Sequence, residues 1–164
     1  MLARKIHGGD PDGTPEVWLL DASFSGLDEI GLRAAARRLT DRAGMPYVTR
    51  SYRYPYALVS WHAAEIGVDI ERVEPLNGAF AASICTPDER IDWLAFPDPD
   101  ARLTSMWSSK EALAKALGDA LTYDPRRLGS PMFWPDGRSG PWRATELAVA
   151  DGHVAWLCWR SPRR

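Results

Sequence analysis

Alternating apolar and polar positions predict strands in the first half of the chain. The clearest are Tyr56–Trp61 and Ile66–Glu71, two β-rich runs separated by the short segment Ala63–Glu65. Because this connection is short, we expect these two strands to pair as a hairpin. Glu16–Asp21 predicts an earlier strand, while the first fifteen residues, rich in Gly, Pro and Asp, are expected to be loosely ordered.

Helical spacing of apolar residues appears in four other segments. They cover about Glu29–Arg42, Ala79–Ile84, Pro87–Leu94 and Ala101–Leu117. Gly44 and Gly118 follow the two longer segments, and glycine is the residue that most often ends a helix. After Pro125 the chain becomes β-like, with Met132–Trp134 before a Pro-Asp-Gly turn and with Arg143–Val149 and His153–Trp159 flanking a second hairpin turn. The predicted fold class is α+β.

Composition narrows the class of protein. The chain has 164 residues, of which 45% are hydrophobic, including 8 tryptophans, which suits one domain or two small halves sharing a core. A formal charge of −2 argues against a general nucleic-acid binder. Cys85 and Cys158 lack the spacing of a zinc site or a disulfide framework. With no signal peptide or membrane-spanning apolar run in the sequence, we expect a cytoplasmic protein without a membrane partner.

Two segments carry the candidate chemistry. In Gly67-Val68-Asp69-Ile70-Glu71, the period of two places both carboxylates on one face of the strand. In the helix that follows, Trp107, Glu111 and Lys115 are spaced i, i+4, i+8 and line one stripe. Three carboxylates and a lysine together suit a hard divalent cation beside a phosphate, because Mg²⁺ takes oxygen ligands and shares them with substrate phosphates.

Each segment taken alone also has a simpler interpretation. Taken alone, Asp69 and Glu71 are more typical of an edge strand with a solvated acidic face than of a functional site. Glu111 and Lys115 form the favoured i→i+4 pair of a surface salt bridge.

Together and in this order, the two segments resemble the signature of the 4′-phosphopantetheinyl transferase superfamily. That signature is a Gly-hydrophobic-Asp-hydrophobic-Glu strand followed by a Trp-Ser-x-Lys-Glu-Ala-x-x-Lys helix, and Gly67–Glu71 and Trp107–Lys115 repeat it almost unaltered. Thr86–Arg90 is also similar to the short helical segment that precedes the second motif in the family. The resemblance covers about residues 51 to 128.

The position of the first motif indicates the subtype. In the short, trimeric family members this strand lies at the N-terminus, whereas here a strand, a helix and another strand precede it. The order resembles the longer, surfactin-type members, which are pseudo-dimers of two similar halves, each with a helix packed on an antiparallel sheet. We expect an abbreviated N-terminal half over residues 1–60 and a C-terminal half with the motifs over residues 61–164.

The resemblance implies a reaction and its participants. Coenzyme A donates its phosphopantetheine arm to a serine of an acyl or peptidyl carrier protein, and 3′,5′-ADP is released. Asp69, Glu71 and Glu111 match the Mg²⁺ ligands, and Glu111 is also a candidate for orienting or deprotonating the attacking serine. Lys115 matches the catalytic lysine that contacts phosphate, and Lys110 matches a second lysine expected on coenzyme A.

One position departs from the family pattern. A Ser-His pair that contacts the 3′-phosphate of coenzyme A falls on Ser51 and Tyr52. Tyr52 donates a hydrogen bond but carries no positive charge. Arg53 or Arg50 is therefore a candidate for supplying that charge, although either is as readily a solvated surface residue.

Two other functions compete with this hypothesis. A non-catalytic paralogue that binds coenzyme A or a carrier protein is favoured by Tyr52 and the short N-terminal half, and opposed by the intact carboxylate and lysine set. A metal-dependent phosphodiester hydrolase would use the same carboxylates, but the Trp-x-x-Lys-Glu helix is not typical of one. For a carrier partner, usually acidic, the first long helix offers a possible basic face with Arg33, Arg37, Arg38 and Arg42.

Overall fold

Two four-stranded antiparallel sheets, each covered by one long helix, make up the protein. The computed structural model describes residues 1–8, 13–120 and 122–161. Its strands are β1 Leu2–His7, β2 Glu16–Asp21, β3 Tyr47–Arg53, β4 Tyr56–His62, β5 Ile66–Arg72, β6 Arg138–Ser139, β7 Trp142–Glu146 and β8 His153–Arg160. Its α-helices are α1 Glu29–Ala43, α2 Gly78–Ile84, α3 Glu89–Asp92 and α4 Pro99–Leu117, and short 3₁₀ turns cover 93–95, 125–127, 131–133 and 135–137.

The first sheet has the strand order β1-β2-β4-β3 and carries α1 on one face. The side chain of Asp28 caps the helix by accepting a hydrogen bond from the Gly31 amide at 2.8 Å, and Gly44 ends it with a φ of 62°. One face of α1 is buried against this sheet, through Leu20, Ala22, Leu32, Ala35, Ala36, Ala57 and Val59.

The second sheet has the strand order β5-β8-β7-β6 and carries α4. Asp98 caps this helix at its start and Gly118 ends it with a φ of 84°. The helix packs on β5 and β8, where Ala112, Leu113 and Ala116 meet Trp156 and Cys158. In both halves an apolar stripe of the helix is thus buried against one face of a sheet.

The two sheets face each other through their remaining faces. Val17, Leu19 and Leu58 of the first sheet pack against Val68 and Leu157 of the second. The layers therefore run helix, sheet, sheet, helix, which confirms the predicted α+β class with a helix on an antiparallel sheet in each half.

A seam joins the sheets where β3 runs alongside β5. The Thr49 and Ser51 hydroxyls accept hydrogen bonds from the Val68 and Ile70 amides, each at 3.2 Å. These hydroxyls take the place of the backbone hydrogen bonds that would join two neighbouring strands of one sheet. The seam holds β5 against the N-terminal half and places Ser51 beside Asp69.

Three predictions about the strands were wrong. Tyr56–Trp61 and Ile66–Glu71 do not form a hairpin, because β4 belongs to the first sheet while β5 pairs with β8 in the second. The N-terminus is not wholly loose, since β1 pairs with β2 from Leu2 opposite Asp21; residues 9–12 of that segment lie outside the described part of the chain. Met132–Trp134 lies in a 3₁₀ turn and the bend that follows it rather than in a strand.

Strand β3 was missed altogether by the sequence analysis. Its residues, Tyr47–Arg53, are largely polar and carry no clear alternation. One edge of β3 pairs with β4, and the other meets β5 through side chains. The buried residues of β3, Thr49 and Ser51, are polar, so the strand has little hydrophobic period to detect.

Candidate active site

The site begins with the close approach of α4 to β5. A Cβ atom added to Gly67 would lie 2.0 Å from the Ala112 carbonyl oxygen and 2.7 Å from the Ala116 amide nitrogen. Only glycine lets the helix backbone come this near to the strand. The contact brings the Lys115 and Glu111 turns of α4 against the carboxylates of β5.

Asp69 lies at the centre of the site and is almost completely buried, with 3% of its surface exposed. Its Oδ1 atom accepts hydrogen bonds from the Lys115 ammonium at 2.7 Å and from the Ser51 hydroxyl at 2.9 Å. Its Oδ2 atom is buried and has no hydrogen-bond partner among the described residues. A buried carboxylate oxygen without a donor is costly, which indicates a site built to receive a positively charged or hydrogen-bonding group.

Glu71 lies on the same face of β5, nearer to the end of the strand. Its carboxylate forms an ion pair with Arg53, whose side chain is half exposed. Burial and the neighbouring charge of Asp69 raise the pKa of Glu71 to about 6, although the charge and hydrogen bond of Arg53 and a hydrogen bond from Trp107 oppose this shift. The contacts of Glu71 therefore offset only part of the cost of burying its negative charge.

Glu111 approaches Asp69 from the helix side. Its Oε1 atom accepts a hydrogen bond from the Tyr123 hydroxyl at 2.5 Å. Burial raises the pKa of Glu111, the hydrogen bond from Tyr123 lowers it, and the charge of Asp69 raises it further. Asp69 thus interacts electrostatically with both glutamates, and the three predicted carboxylates lie in one region of the molecule.

The spacing of these carboxylates is wider than that of a preformed metal site. Within the described ranges, no group of three or more His, Cys, Asp or Glu side chains stands close enough together to hold a metal ion. Instead Lys115, Arg53 and Tyr123 each hold one carboxylate. The donor set nevertheless fits a hard cation, because all three groups offer oxygens, one oxygen is unpartnered, and burial disfavours the charge of both glutamates.

Two cavities flank Asp69 and Lys115. One, of about 500 Å³, lies at the end of β5 and is lined by Arg53, Tyr54, Glu71, Arg72, Glu74, Leu76, Phe80, Thr104, Trp107 and His153. The other, of about 660 Å³, lies at the start of β5 and is lined by Arg37, Val48, Thr49, Arg50, Tyr52, Ile66, Lys115, Gly118, Ala120 and Thr122. The carboxylate Glu71 therefore opens to one cavity, and the ammonium of Lys115 opens to a second cavity that also receives two arginines.

The motif strand and the motif helix both lie within a recognised family segment. The sequence model described as the 4′-phosphopantetheinyl transferase superfamily matches residues 65–149. The match covers just over half of the 164-residue chain. The chain belongs to the 4′-phosphopantetheinyl transferase superfamily. This confirms the resemblance that Gly67–Glu71 and Trp107–Lys115 indicated.

The chain is similar in sequence to one known protein and in structure to another. The chain is 36% identical over 62 residues to the 4′-phosphopantetheinyl transferase psf-1 of Bacillus pumilus, and these residues make up 37% of this chain and 27% of that protein. The chain therefore matches well under half of the length of this relative. The structure is also similar to the crystal structure of Thermotoga maritima holo-[acyl-carrier-protein] synthase, with a TM-score of 0.47 and 20% identity over 61% of this chain and 64% of that chain.

Two of the residues predicted to contact coenzyme A in this superfamily member lie in environments that do not fit that role. The Ser51 hydroxyl is buried, where it donates to Asp69 and accepts from the Ile70 amide. Lys110 has 0% exposure, and its ammonium donates to the Glu89 carboxylate and to the carbonyl oxygens of Ile84 and Pro125. We therefore assign both side chains to the internal hydrogen-bond network rather than to substrate.

The other predicted contacts lie at the cavities. Tyr52 lines the cavity that contains Arg37, Arg50 and Lys115, called the basic cavity from here on. The Arg33 guanidinium lies 4.4 Å from the centre of the Tyr52 ring. Arg53 lines the opposite cavity. Tyr52 and Arg53 point to different sides because they are successive residues of one strand.

The sequence analysis missed two polar residues of this region, Tyr123 and Arg37. Tyr123 lies beyond the end of α4 in an irregular segment, and Arg37 was noted only as part of a basic helix face. Arg50, which the sequence analysis named as a candidate for the 3′-phosphate contact, donates to the Thr40 hydroxyl of α1, and this contact with the helix fixes its position. No local period marks such residues, because their partners are distant along the chain.

Proposed function

We propose that this protein transfers the 4′-phosphopantetheine arm of coenzyme A to a serine of an acyl or peptidyl carrier protein, with release of 3′,5′-ADP. The observation that carries the proposal is the buried Asp69 carboxylate, set between Glu71, Glu111 and Lys115 in a chain of this superfamily. Phosphoryl-type displacement depends mainly on positioning and on charge neutralisation, and this set of groups supplies both.

Asp69, Glu71 and Glu111 are the residues that would hold Mg²⁺. When bound there, the cation would neutralise part of the charge of the coenzyme A pyrophosphate. The unpartnered Oδ2 atom of Asp69 supports this assignment, as does the disfavoured negative charge of both glutamates. Arg53 and Tyr123 each contact one of these carboxylates, Glu71 and Glu111 respectively.

Lys115 is proposed to contact the departing phosphate. Its ammonium lies between Asp69 and the basic cavity, so it can donate to a phosphate oxygen while one of its hydrogens remains on the Asp69 carboxylate. Glu111, one helical turn away on the same face, is proposed to orient or deprotonate the attacking serine hydroxyl.

The basic cavity is proposed to receive the nucleotide end of coenzyme A. Arg37, Arg50 and Lys115 line it together with Tyr52. Because these two arginines line the cavity while Ser51 is buried, we expect Arg50 and Arg37, rather than Ser51, to contact the phosphate group. If so, Arg50→Ala should weaken the binding of coenzyme A more than that of dephospho-coenzyme A. Equal losses of affinity for the two ligands would contradict the assignment of the 3′-phosphate to this cavity.

We further propose the surfactin-type arrangement of two halves, residues 1–60 and 61–164, with the site at their seam. The hydroxyls of Thr49 and Ser51, which bond β5 across this seam, support the division. The exposed arginines of α1 are proposed as a basic surface for an acidic carrier protein.

The deciding experiment incubates the protein with Mg²⁺, coenzyme A and a panel of apo carrier proteins, and weighs the carriers by intact-mass spectrometry. A carrier that gains the mass of one phosphopantetheine group, only when Mg²⁺ and coenzyme A are both present, supports the transfer. The non-catalytic paralogue is favoured by one observation, that Tyr52 stands where the family has histidine. Tight coenzyme A binding with no mass gain on any carrier would select that alternative.

A further inference from the structure

The hydroxyl of Tyr123 makes a short contact with the site. It donates to the Oε1 atom of Glu111 at 2.5 Å, and both side chains are half buried. Burial and the adjacent Glu111 carboxylate raise the pKa of the Tyr123 phenol. The hydroxyl of a neutral tyrosine is a hydrogen-bond donor, and here it donates to Glu111.

The segment that presents Tyr123 is fastened to α4 on the far side of the tyrosine. The buried Lys110 ammonium donates to the Pro125 carbonyl oxygen at 2.9 Å, and the Ser109 and Ser130 hydroxyls are 2.7 Å apart. The Ser130 amide donates to the Glu89 carboxylate at 2.7 Å, and that same carboxylate is paired with Lys110.

A further hydrogen bond fixes the near side of the tyrosine. The Tyr123 amide donates to the Asp119 carbonyl oxygen at 3.0 Å, just beyond the end of α4. A side chain anchored on both sides along the chain has little freedom to move away from its partner. The hydrogen bonds on both sides of Tyr123 thus hold its backbone in place and keep its side chain in contact with Glu111.

We infer that Tyr123 is a positioning residue, which orients the Glu111 carboxylate toward Asp69 for the cation and the attacking serine. The inference rests on the function proposed above. A hydrogen bond that fixes one carboxylate oxygen also fixes the direction of the other, because the group is planar. Hydrogen-bond partners of metal-ligating carboxylates commonly contribute about 10–100-fold in metal affinity or activity.

The test is Tyr123→Phe, which removes the hydroxyl and keeps the ring that fills this position. Mg²⁺ is titrated into the purified full chain without coenzyme A by calorimetry, and transfer kinetics are measured separately. We expect Mg²⁺ affinity to fall about 10-fold or more. We also expect kcat to fall while the KM for coenzyme A stays within about twofold, because a positioning role acts on the reacting groups more than on substrate binding.

Two further variants serve as references. Tyr47→Phe removes the hydroxyl of an exposed tyrosine on β3 and should leave both measurements unchanged. Glu111→Gln should weaken Mg²⁺ binding at least as much as Tyr123→Phe. Thermal unfolding of each variant shows that the native fold is retained during the titration.

The outcomes separate this inference from the proposed function. Wild-type Mg²⁺ affinity and wild-type kcat in Tyr123→Phe, with a loss in Glu111→Gln, overturn the inference alone. Unchanged Mg²⁺ affinity in Glu111→Gln, or a wild-type protein that binds no Mg²⁺, overturns it together with the metal assignment. Weakened Mg²⁺ binding in Tyr123→Phe supports the inference even if no carrier protein is modified, in which case only the transfer function fails.

Discussion

The helices α1 and α4 each cover one face of a four-stranded antiparallel sheet, yet their surroundings differ. Helix α1 buries one stripe, formed by Leu32, Ala35, Ala36 and Thr40, and its arginines are exposed, although Arg37 also lines a cavity. Helix α4 packs on its sheet with one side, and on its other side Leu103 and Met106 meet α2 and Trp93. Polar residues of α4 such as Ser109 and Lys110 are consequently fully buried.

This difference decides what a charged residue does in each helix. An exposed arginine of α1 such as Arg38 lies in water, where an ion pair contributes little. The same charge on α4 must be satisfied inside the protein, as Lys110 is by Glu89 and two carbonyl oxygens. Only the stripe of Trp107, Glu111 and Lys115 remains partly exposed in the middle of α4, and it is this stripe that meets the carboxylates of β5.

The largest expected effect is the loss of stability when the buried charge of Lys110 is removed. Lys110→Met leaves the buried Glu89 carboxylate without its counter-charge, which should destabilise the fold by about 3–5 kcal/mol. Arg38→Met on the exposed face of α1 should change stability by less than about 0.5 kcal/mol. Denaturant unfolding of both variants measures the contrast. If Lys110→Met lowered the free energy of unfolding only slightly, the buried ion pair between Lys110 and Glu89 would not be needed for stability.

The next largest effect is expected at Lys115, on the partly exposed stripe of α4, and concerns the transfer rate. Lys115→Ala should lower the transfer rate by a factor on the order of 10²–10³, roughly 3–4 kcal/mol, because the variant loses the charge proposed to stabilise the departing phosphate. The loss should appear in kcat more than in KM. Because Asp69 also loses its ion-pair partner, rates are normalised to the folded fraction from circular dichroism. Robust transfer by the variant would contradict the role assigned to Lys115.

The third prediction concerns the contact that brings α4 onto β5. Gly67→Ala places a methyl group against the Ala112 carbonyl and the Ala116 amide, so the strand and helix must move apart, at a cost of about 1–3 kcal/mol. A Cβ atom at Gly78 meets no atom of the described structure within 4 Å, so Gly78→Ala is the matched control. Equal melting temperatures for the two variants would show that the approach is not required.

The smallest expected effect has opposite signs in two measurements. Arg53 pairs with Glu71 and lines the adjacent cavity, so it competes with a cation for the carboxylate. Arg53→Ala should therefore tighten Mg²⁺ binding to the free protein by a few-fold, in keeping with the modest strength of a half-exposed ion pair of up to about 1 kcal/mol.

Coenzyme A binding should change in the other direction. Loss of the Arg53 cation should weaken coenzyme A affinity, since it removes one positive charge near the site. Arg72→Ala removes a charge from the same cavity outside the Glu71 ion pair and should leave Mg²⁺ affinity nearer to that of the wild type. If Arg53→Ala weakens both Mg²⁺ and coenzyme A binding, Arg53 is not a competitor for Glu71.

Local pattern was enough to predict much of the second half of the chain. The bounds of α4, its glycine end and the face shared by Asp69 and Glu71 all follow from spacing within a few residues. The stripe of Trp107, Glu111 and Lys115 was predicted for the same reason. The partner of β5 was not, because β8 lies far along the sequence and a short connection pointed to β4 instead.

The sequence by itself determined the α+β class, the long helices and the superfamily, since periodicity, capping residues and a two-part motif are all local properties. The tertiary structure alone decided which polar residues line the cavities and which are buried in the core. It turned Ser51 toward Asp69, enclosed Lys110, and brought Tyr123 to Glu111. Those outcomes depend on burial and on partners distant in sequence, and the free energy of a buried charge or hydroxyl is set by its surroundings rather than by its neighbours in the chain.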